Sequence, residues 1–406
     1  MAFHPPAFRT GRRRLLRAAA LALCLPALPL SAQTAAPTWS AVEELRIGDA
    51  EDPDYTLSPG VKVTVSPGGE IFALDPTEKR VRVFGAGGRH VRTFGREGPG
   101  PGEYQGPEWA GWLGDTLWIS DVLQLRVTFL RANGSVIRSF RIGTRPSSLY
   151  GPRAPQAMLA DGTGLTIPYP PAGLSASDVV RRVPLLRVDR SGKPVDTLAW
   201  HPIGHAAFEV AAQGSRRMFM YPPNSLRDAP IVAAAPDGRG IVIVERTPAA
   251  RAGDAFFEVK RLSARGEVVY SRRYRYAPTP TPSGFRARWA RDRAATVAQN
   301  QPGINRRELE EKIAEGLYVP PFYPPVTAAV VGRDGTVWLR REEGESGMVT
   351  WHVLNERGLI QANLRLPKNV EVHQASRTHL WGVVYDELDV PHVVRYRVNA
   401  PARRGR

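Results

Sequence analysis

Val61–Gly95 reads VKVTVSPGGEIFALDPTEKRVRVFGAGGRHVRTFG, and Trp109–Phe140 reads WAGWLGDTLWISDVLQLRVTFLRANGSVIRSF. Each stretch alternates short β-rich runs with glycine turns, and the two superpose without gaps over their inner part. In the first, strands are expected at Val61–Ser66, Glu70–Leu74, Val81–Phe84 and His90–Phe94. In the second they fall near Trp109–Leu113, Thr116–Ser120, Arg126–Leu130 and Val136–Phe140. A repeat of four strands per unit is the signature of a β-propeller, whose blades bury their faces against one another.

The punctuation continues downstream. The turn between first and second strands recurs as Asp161-Gly162, Asp237-Gly238 and Asp334-Gly335, and degenerately as Arg377-Thr378. The turn between third and fourth strands recurs as Gly88, Gly134, Gly192, Gly266 and Gly358, each four residues after an apolar residue. Glycine accepts the positive φ that tight turns demand. A sixth unit, Val370–Ala375, Leu380–Tyr385 and Val393–Val398, lacks a fourth strand. The unpartnered run Val42–Ile47 is assigned to that place, closing the ring by pairing the N-terminus with the C-terminus and removing an open edge. The expected fold is therefore all-β: a six-bladed β-propeller over residues 40–400, with N-to-C strand closure.

Ile119-Ser-Asp121 with Arg126-Val-Thr-Phe129 and Asn133-Gly134 resembles the core of an NHL repeat. The stretch GREGPGPGEY, Gly95–Tyr104, resembles a Gly-Pro-Gly-Glu-aromatic loop of the six-bladed propellers among bacterial exported proteins. The resemblance is strongest over residues 61–142. It implies the fold and an exported setting, and it implies little about activity, because many members have no known function.

Residues 1–32 have the form of a signal peptide. Gly11-Arg-Arg-Arg14 precedes the apolar run Ala18–Leu30 and the small residues Ser31-Ala32. Arg12-Arg13-Arg14-Leu15-Leu16 also fits a twin-arginine leader, which carries folded cargo. The apolar run is short and broken by Pro26 and Pro29, so it is not read as a transmembrane span. Leu23 and the apolar sequence after Cys24 argue against a lipoprotein signal. The expected location is periplasmic or extracellular. The leader holds five arginines and no acid, so the net charge of +16 falls to +11 without it. Cys24 is the only cysteine, so no disulfide braces the exported domain. A basic exported protein is expected to meet a protein, a glycan or a small ligand rather than nucleic acid.

The long segments Gly95–Pro107, Pro168–Val183, Trp200–Ala229 and Ala277–Pro325 all belong to one face of such a propeller, and that face is the expected binding face. The last segment, 277–325, is expected to insert two helices, Gly284–Gln299 and Asn305–Leu317, between blades four and five. Asn305 is expected to cap the second helix, and the pair to pack over the blades as a lid or brace. Arg286, Arg288, Arg291 and Arg293 would decorate its exposed side. Asp75/Arg80 and Asp121/Arg126, equally spaced in two repeats, are expected to be repeat-internal ion pairs.

The candidate ligand-binding residues are Arg96, Glu103, Tyr104, His205, Arg288, Glu371 and His373. The first three are what the Phe94–Pro107 crossing would present at the rim, although a purely structural role for that crossing is preferred. His201-Pro-Ile-Gly-His205 has metal-like spacing, but Pro202 and Gly204 break the helix it needs. Glu371 and His373 alternate onto one side of a predicted innermost strand, beside the channel. Several catalytic motifs fail: prolines interrupt the glycine run at Gly98–Gly102, and there is no Walker loop and no HExxH. A non-catalytic binding or scaffold protein is the preferred reading, with no catalytic residue, metal or cofactor assigned. The alternative is a metal-dependent lactonase, esterase or lyase propeller. Such enzymes need ligands on several inner strands, which here supply only Glu108, Glu371 and His373.

Overall fold

Short alternating runs cannot bury both faces alone, so each four-strand unit folds as a meander and stacks on the next. The computed structural model describes residues 36–142, 154–167, 182–202, 208–211, 217–301, 303–341 and 347–400. The proposed leader, residues 1–32, lies outside them, as do His205 and most of the segment Pro168–Val183.

Strand β1 (Thr38–Ile47) precedes the first meander, β2 (Lys62–Val65), β3 (Ile71–Asp75), β4 (Arg80–Phe84) and β5 (His90–Phe94). The short β6 (Arg96–Glu97) and β7 (Glu103–Tyr104) pair in parallel. The second meander is β8 (Pro107–Leu113), β9 (Thr116–Asp121), β10 (Arg126–Leu130) and β11 (Val136–Arg141). The third is β12 (Ala157–Met158), β13 (Gly164–Thr166), β14 (Arg182–Val188) and β15 (Pro194–Pro202). A hairpin of β16 (Phe208–Ala211) and β17 (Arg217–Met220) follows. The fourth meander is β18 (Ile231–Ala234), β19 (Gly240–Glu245), β20 (Phe256–Ser263) and β21 (Val268–Arg275). Helices α1 (Phe285–Asn300) and α2 (Arg306–Gly316) come next. Then come β22 (Val326–Val331), β23 (Val337–Arg341), β24 (Met348–Leu354) and β25 (Ile360–Pro367). The chain ends in β26 (Val370–Ala375), β27 (His379–Tyr385) and β28 (Pro391–Asn399).

The architecture is all-β and propeller-like. Four meanders form separate four-stranded sheets, β6-β7 and β16-β17 pair on their own, and the remaining strands form one eight-stranded sheet, β22-β23-β24-β25-β1-β28-β27-β26. The joint is β1. Thr38 and Trp39 pair in parallel with Asn363 and Leu364 of β25. Ser40 to Ile47 then run antiparallel to β28. The expected N-terminal strand is thus present, longer than foreseen, and it also reaches a second neighbour.

The apolar core lies between successive meanders. Phe72, Leu74 and Val83 meet Trp112, Leu117 and Leu130 between the first and second. Trp118 and Phe129 meet Met158 between the second and third. Leu165 and Leu185 meet Ile241 and Leu262 between the third and fourth. Val244 and Phe257 meet Val337 and Leu339. Trp338 and Trp351 meet Val372, Leu380 and Trp39. Finally Val383, Val393 and Ile47 return to Val63, Ile71 and Phe84 of the first.

The third-to-fourth turns do more than reverse the chain. A Cβ on Gly134 would lie 2.6 Å from Phe94 of the preceding meander, on Gly358 2.7 Å from Tyr270, and on Gly88 2.7 Å from Leu45 of β1. The carbonyls of the same turns accept from arginines of the preceding unit: Arg92 to Ala132 at 2.6 Å, Arg272 to Arg357 at 2.7 Å and Arg395 to Ala86 at 2.8 Å. Gly69 and Gly134 share φ of 88°, but a Cβ on Gly69 meets nothing within 4 Å. Gly69→Ala is therefore expected to cost about 1 kcal/mol of backbone strain. Gly134→Ala is expected to cost about 2–3 kcal/mol, adding overpacking against Phe94. Equal losses in denaturant melts would refute the inter-unit contact.

Candidate functional site

The crossing from first to second meander is a braced loop. Glu103 accepts from Arg96 at 2.6 Å and from the Gly100 N–H at 2.8 Å. The Gly100 N–H, ahead of Arg96, holds its carboxyl below the usual carboxylate range. Gln124 Nε2 donates to Gly98 O at 2.9 Å and Glu103 O at 3.0 Å. Arg126 donates to Gly100 O at 2.5 Å. Arg96 stands exposed at the rim, but Tyr104 does not: it is 1% exposed, packed with Phe72 and Trp112, and burial raises its phenol pKa. The expectation that Tyr104 faces a ligand is corrected. An aromatic after the glycines serves as the plug under the loop.

The expected ion pairs are corrected too. Asp121 accepts four backbone N–H groups, from Gln105 at 2.7 Å, Gly106 at 3.1 Å, Leu123 at 3.0 Å and Gln124 at 2.9 Å. Asp75 accepts from Ser58, Thr77 and Glu78, and its ionic partner is Arg82 at 3.4 Å. Arg80 instead meets Glu78 at 3.4 Å. The equal spacing of Asp and Arg reflects ladder register, since Arg80 stands opposite Asp75 and Arg126 opposite Asp121. A short carboxylate there turns into the loop to cap its amides.

Glu371 and His373 lie on β26, the end strand of the eight-stranded sheet. Their side chains approach to 3.8 Å, with His373 largely buried and Glu371 half-exposed. The His373 ring, ahead of the Lys62 and Arg340 charges, holds the Glu371 carboxyl below its usual range. A β-bulge falls between Val372 and Gln374. His373 Nδ1 accepts from the Val63 N–H at 3.1 Å, and Gln374 Oε1 accepts from the Val65 N–H at 2.8 Å. Both bonds go to β2, the innermost strand of the first meander. Arg333, in the turn after β22, donates to the carbonyls of Val65 and Ser66. Alternation alone foresaw the Glu371–His373 pair. The bulge, which brings Gln374 to the same seam, leaves no mark in the sequence. Among the described residues no three His, Cys, Asp or Glu side chains gather as a metal-holding group.

The two largest insertions meet. Val210 of β16 and Met220 of β17 share a core with Ala290, Ala294, Val297, Leu309 and Ile313 of the two helices. Phe285 and Trp289 pack with Leu226, Leu317 and Tyr323 in a second cluster. Asn305 caps α2 through Arg307 N and Glu308 N, as its position before the helix predicts. The helices therefore pack on the other insertion and not simply over the blades. One buried side chain ties both roots: Arg246, 6% exposed, donates to Ala229 O at 2.6 Å and Val326 O at 2.8 Å. Burial lowers its pKa to about 10. Arg288 is exposed and bonds Ser283 O at 3.3 Å; Arg286, Arg291 and Arg293 are also exposed. Tyr221 and Tyr318, which the sequence did not single out, expose 62% and 42% of their surface.

No protein-family model matches the chain, and no curated protein matches it. Solved structures do. A Bacteroides fragilis protein assigned to the exported class is 11% identical, with 89% of this chain and 96% of that one covered and a TM-score of 0.45. A streptogramin B lyase is 14% identical, with 88% and 98% covered and a TM-score of 0.41. A PQQ-bound aldose sugar dehydrogenase of Streptomyces coelicolor is 12% identical, with 90% and 100% covered and a TM-score of 0.41. No helix among the described residues is long and apolar enough to cross a membrane.

Proposed function

We propose that this is an exported, six-bladed β-propeller binding protein whose docking face carries the paired insertions. Counting the eight-stranded sheet as two units joined by β1 supports the blade number. Each unit then has one core cluster against the next, and the last unit has one against the first. The observation that carries the binding reading is the shared core of the two insertions. Segments far apart in sequence pack on each other, and Arg246 anchors both roots; long insertions of this kind are where propeller-like scaffolds place recognition. On this reading the insertions contribute the exposed Tyr221, Tyr318 and Arg288, and the first-to-second crossing the exposed Arg96; such groups suit a glycan, a protein surface or an anionic small molecule.

The test pairs two measurements on the mature protein and on Arg288→Glu and Tyr318→Ala variants. The first is an array of bacterial polysaccharides and glycolipid headgroups. The second is turnover of lactone and ester substrates, repeated in Glu371→Gln. Binding by the parent, lost in the face variants at unchanged melting temperature, is expected. Turnover that depends on Glu371 and ignores the face variants would replace this reading with the channel-enzyme alternative.

A further inference from the structure

The seam between β26 and β2 is held by side chains that accept from main-chain N–H groups. On its outer side this boundary is joined by an arginine and a packed glycine at a third-to-fourth turn, as others are. At the seam itself the side chains belong to β26 and the N–H groups to β2. In a regular strand, consecutive residues point to opposite faces. The bulge between Val372 and Gln374 lets His373 and Gln374 address the same neighbour, at Val63 and Val65. A ring nitrogen that accepts from an N–H cannot carry a proton. Val63 N–H therefore selects the neutral imidazole, with its hydrogen on Nε2, toward Glu371.

We propose that His373 is a proton-sensitive clasp, whose protonation releases the channel-side seam between β26 and β2 while the Gln374–Val65 bond and the outer β1–β28 pairing persist. The charged groups around the ring are few. Glu371, on its own strand, favours the charged form, and Lys62, from β2, opposes it. Burial outweighs both, so the folded pKa lies below the ordinary imidazole value. The sign follows. A depressed folded pKa means stability that is fully present above the unfolded pKa, about 6.5, and is lost as pH falls toward the folded value. In that window the seam's opening constant rises by up to about tenfold per pH unit.

The test is hydrogen exchange of the segment 61–66 in the intact mature protein, as protection factors between pH 7.5 and 5. Parent protein is expected to lose protection there as pH falls. His373→Asn places an amide oxygen near the Nδ1 position and does not titrate, so it is expected to keep protection across the range. Glu371→Gln is expected to retain the pH dependence. Exchange of residues 38–47 and 386–399, which pair across the outer seam, is followed separately as an internal comparison. Identical profiles for parent and His373→Asn, or a dependence abolished by Glu371→Gln alone, would overturn the proposal.

Discussion

Removing Thr38–Ile47 is expected to abolish cooperative unfolding and to leave a chain that self-associates. Strand β1 contributes Trp39 to the core beside Trp338, with ring centroids 6.2 Å apart, and Ile47 to the core of the first meander. Truncating a buried Trp costs about 3–5 kcal/mol and a buried Ile about 2–5. Together they rival the 5–15 kcal/mol that typically separates folded from unfolded domains. The deletion also bares the edges of β25 and β28, which would template association. Charge fixes the strand as well. A bulge between Glu43 and Leu45 turns adjacent acids to different partners. Glu43 meets Arg46 at 2.7 Å and Tyr396 Oη at 3.0 Å, and Glu44 meets Arg395 at 2.7 Å and His379 at 3.2 Å. A synthetic peptide spanning residues 36–48, added in trans, is expected to restore a sharp melt, because a ligand that binds only the folded state stabilises it by mass action. A deletion variant that melts like the parent would refute the closure.

Asp121→Ala is expected to destabilise the protein by about 3–5 kcal/mol, unusually much for a single polar residue. The side chain is 2% exposed, and its removal strands the N–H groups of Gln105, Gly106, Leu123 and Gln124. Gln124 would also lose the carboxylate that fixes it at 3.2 Å, and with it the register of the loop that it holds. Asp121→Asn retains one acceptor oxygen and should lose about half as much. Asp75→Ala at the matching position fails differently, since it leaves the Arg82 guanidinium buried without its carboxylate. Denaturant melts of the three variants check the ranking. An Asp121→Ala loss below about 1 kcal/mol would mean that the loop is not held from this residue.

The meanders were legible because local signals agree with the global fold. Alternating apolar residues set the faces, and a glycine with positive φ sets turns such as those at Gly69, Gly88, Gly134, Gly162, Gly192, Gly238, Gly266, Gly335 and Gly358. Position 305 was legible for the same reason, as a short polar side chain before a helix. The hairpin β16–β17 was not, although it lies in a segment marked as long. Its apolar partners are on helices about eighty residues later, and no local pattern announces a core assembled across that distance. Tyr104 and the Asp/Arg spacing misled for a related reason. Proximity in sequence placed these residues correctly, while the direction of each side chain was decided by what was vacant beside it: a gap under a loop, or a set of unpaired amides. The two bulges, at Glu44 and at His373, are invisible to any periodicity argument, yet they decide which side chains reach the two seams.

The antiparallel pairing of β1 with β28 brings Ser40 opposite Asn399. The first and last of the described strands therefore lie side by side, and which strand comes first matters less to the fold than their cyclic order does. A short linker joining residue 400 to residue 37 would permit fresh ends to be cut at an exposed turn such as Asn133–Ser135. The circular permutant would then hold every strand covalently in sequence, and closure would no longer depend on a terminal strand finding its place.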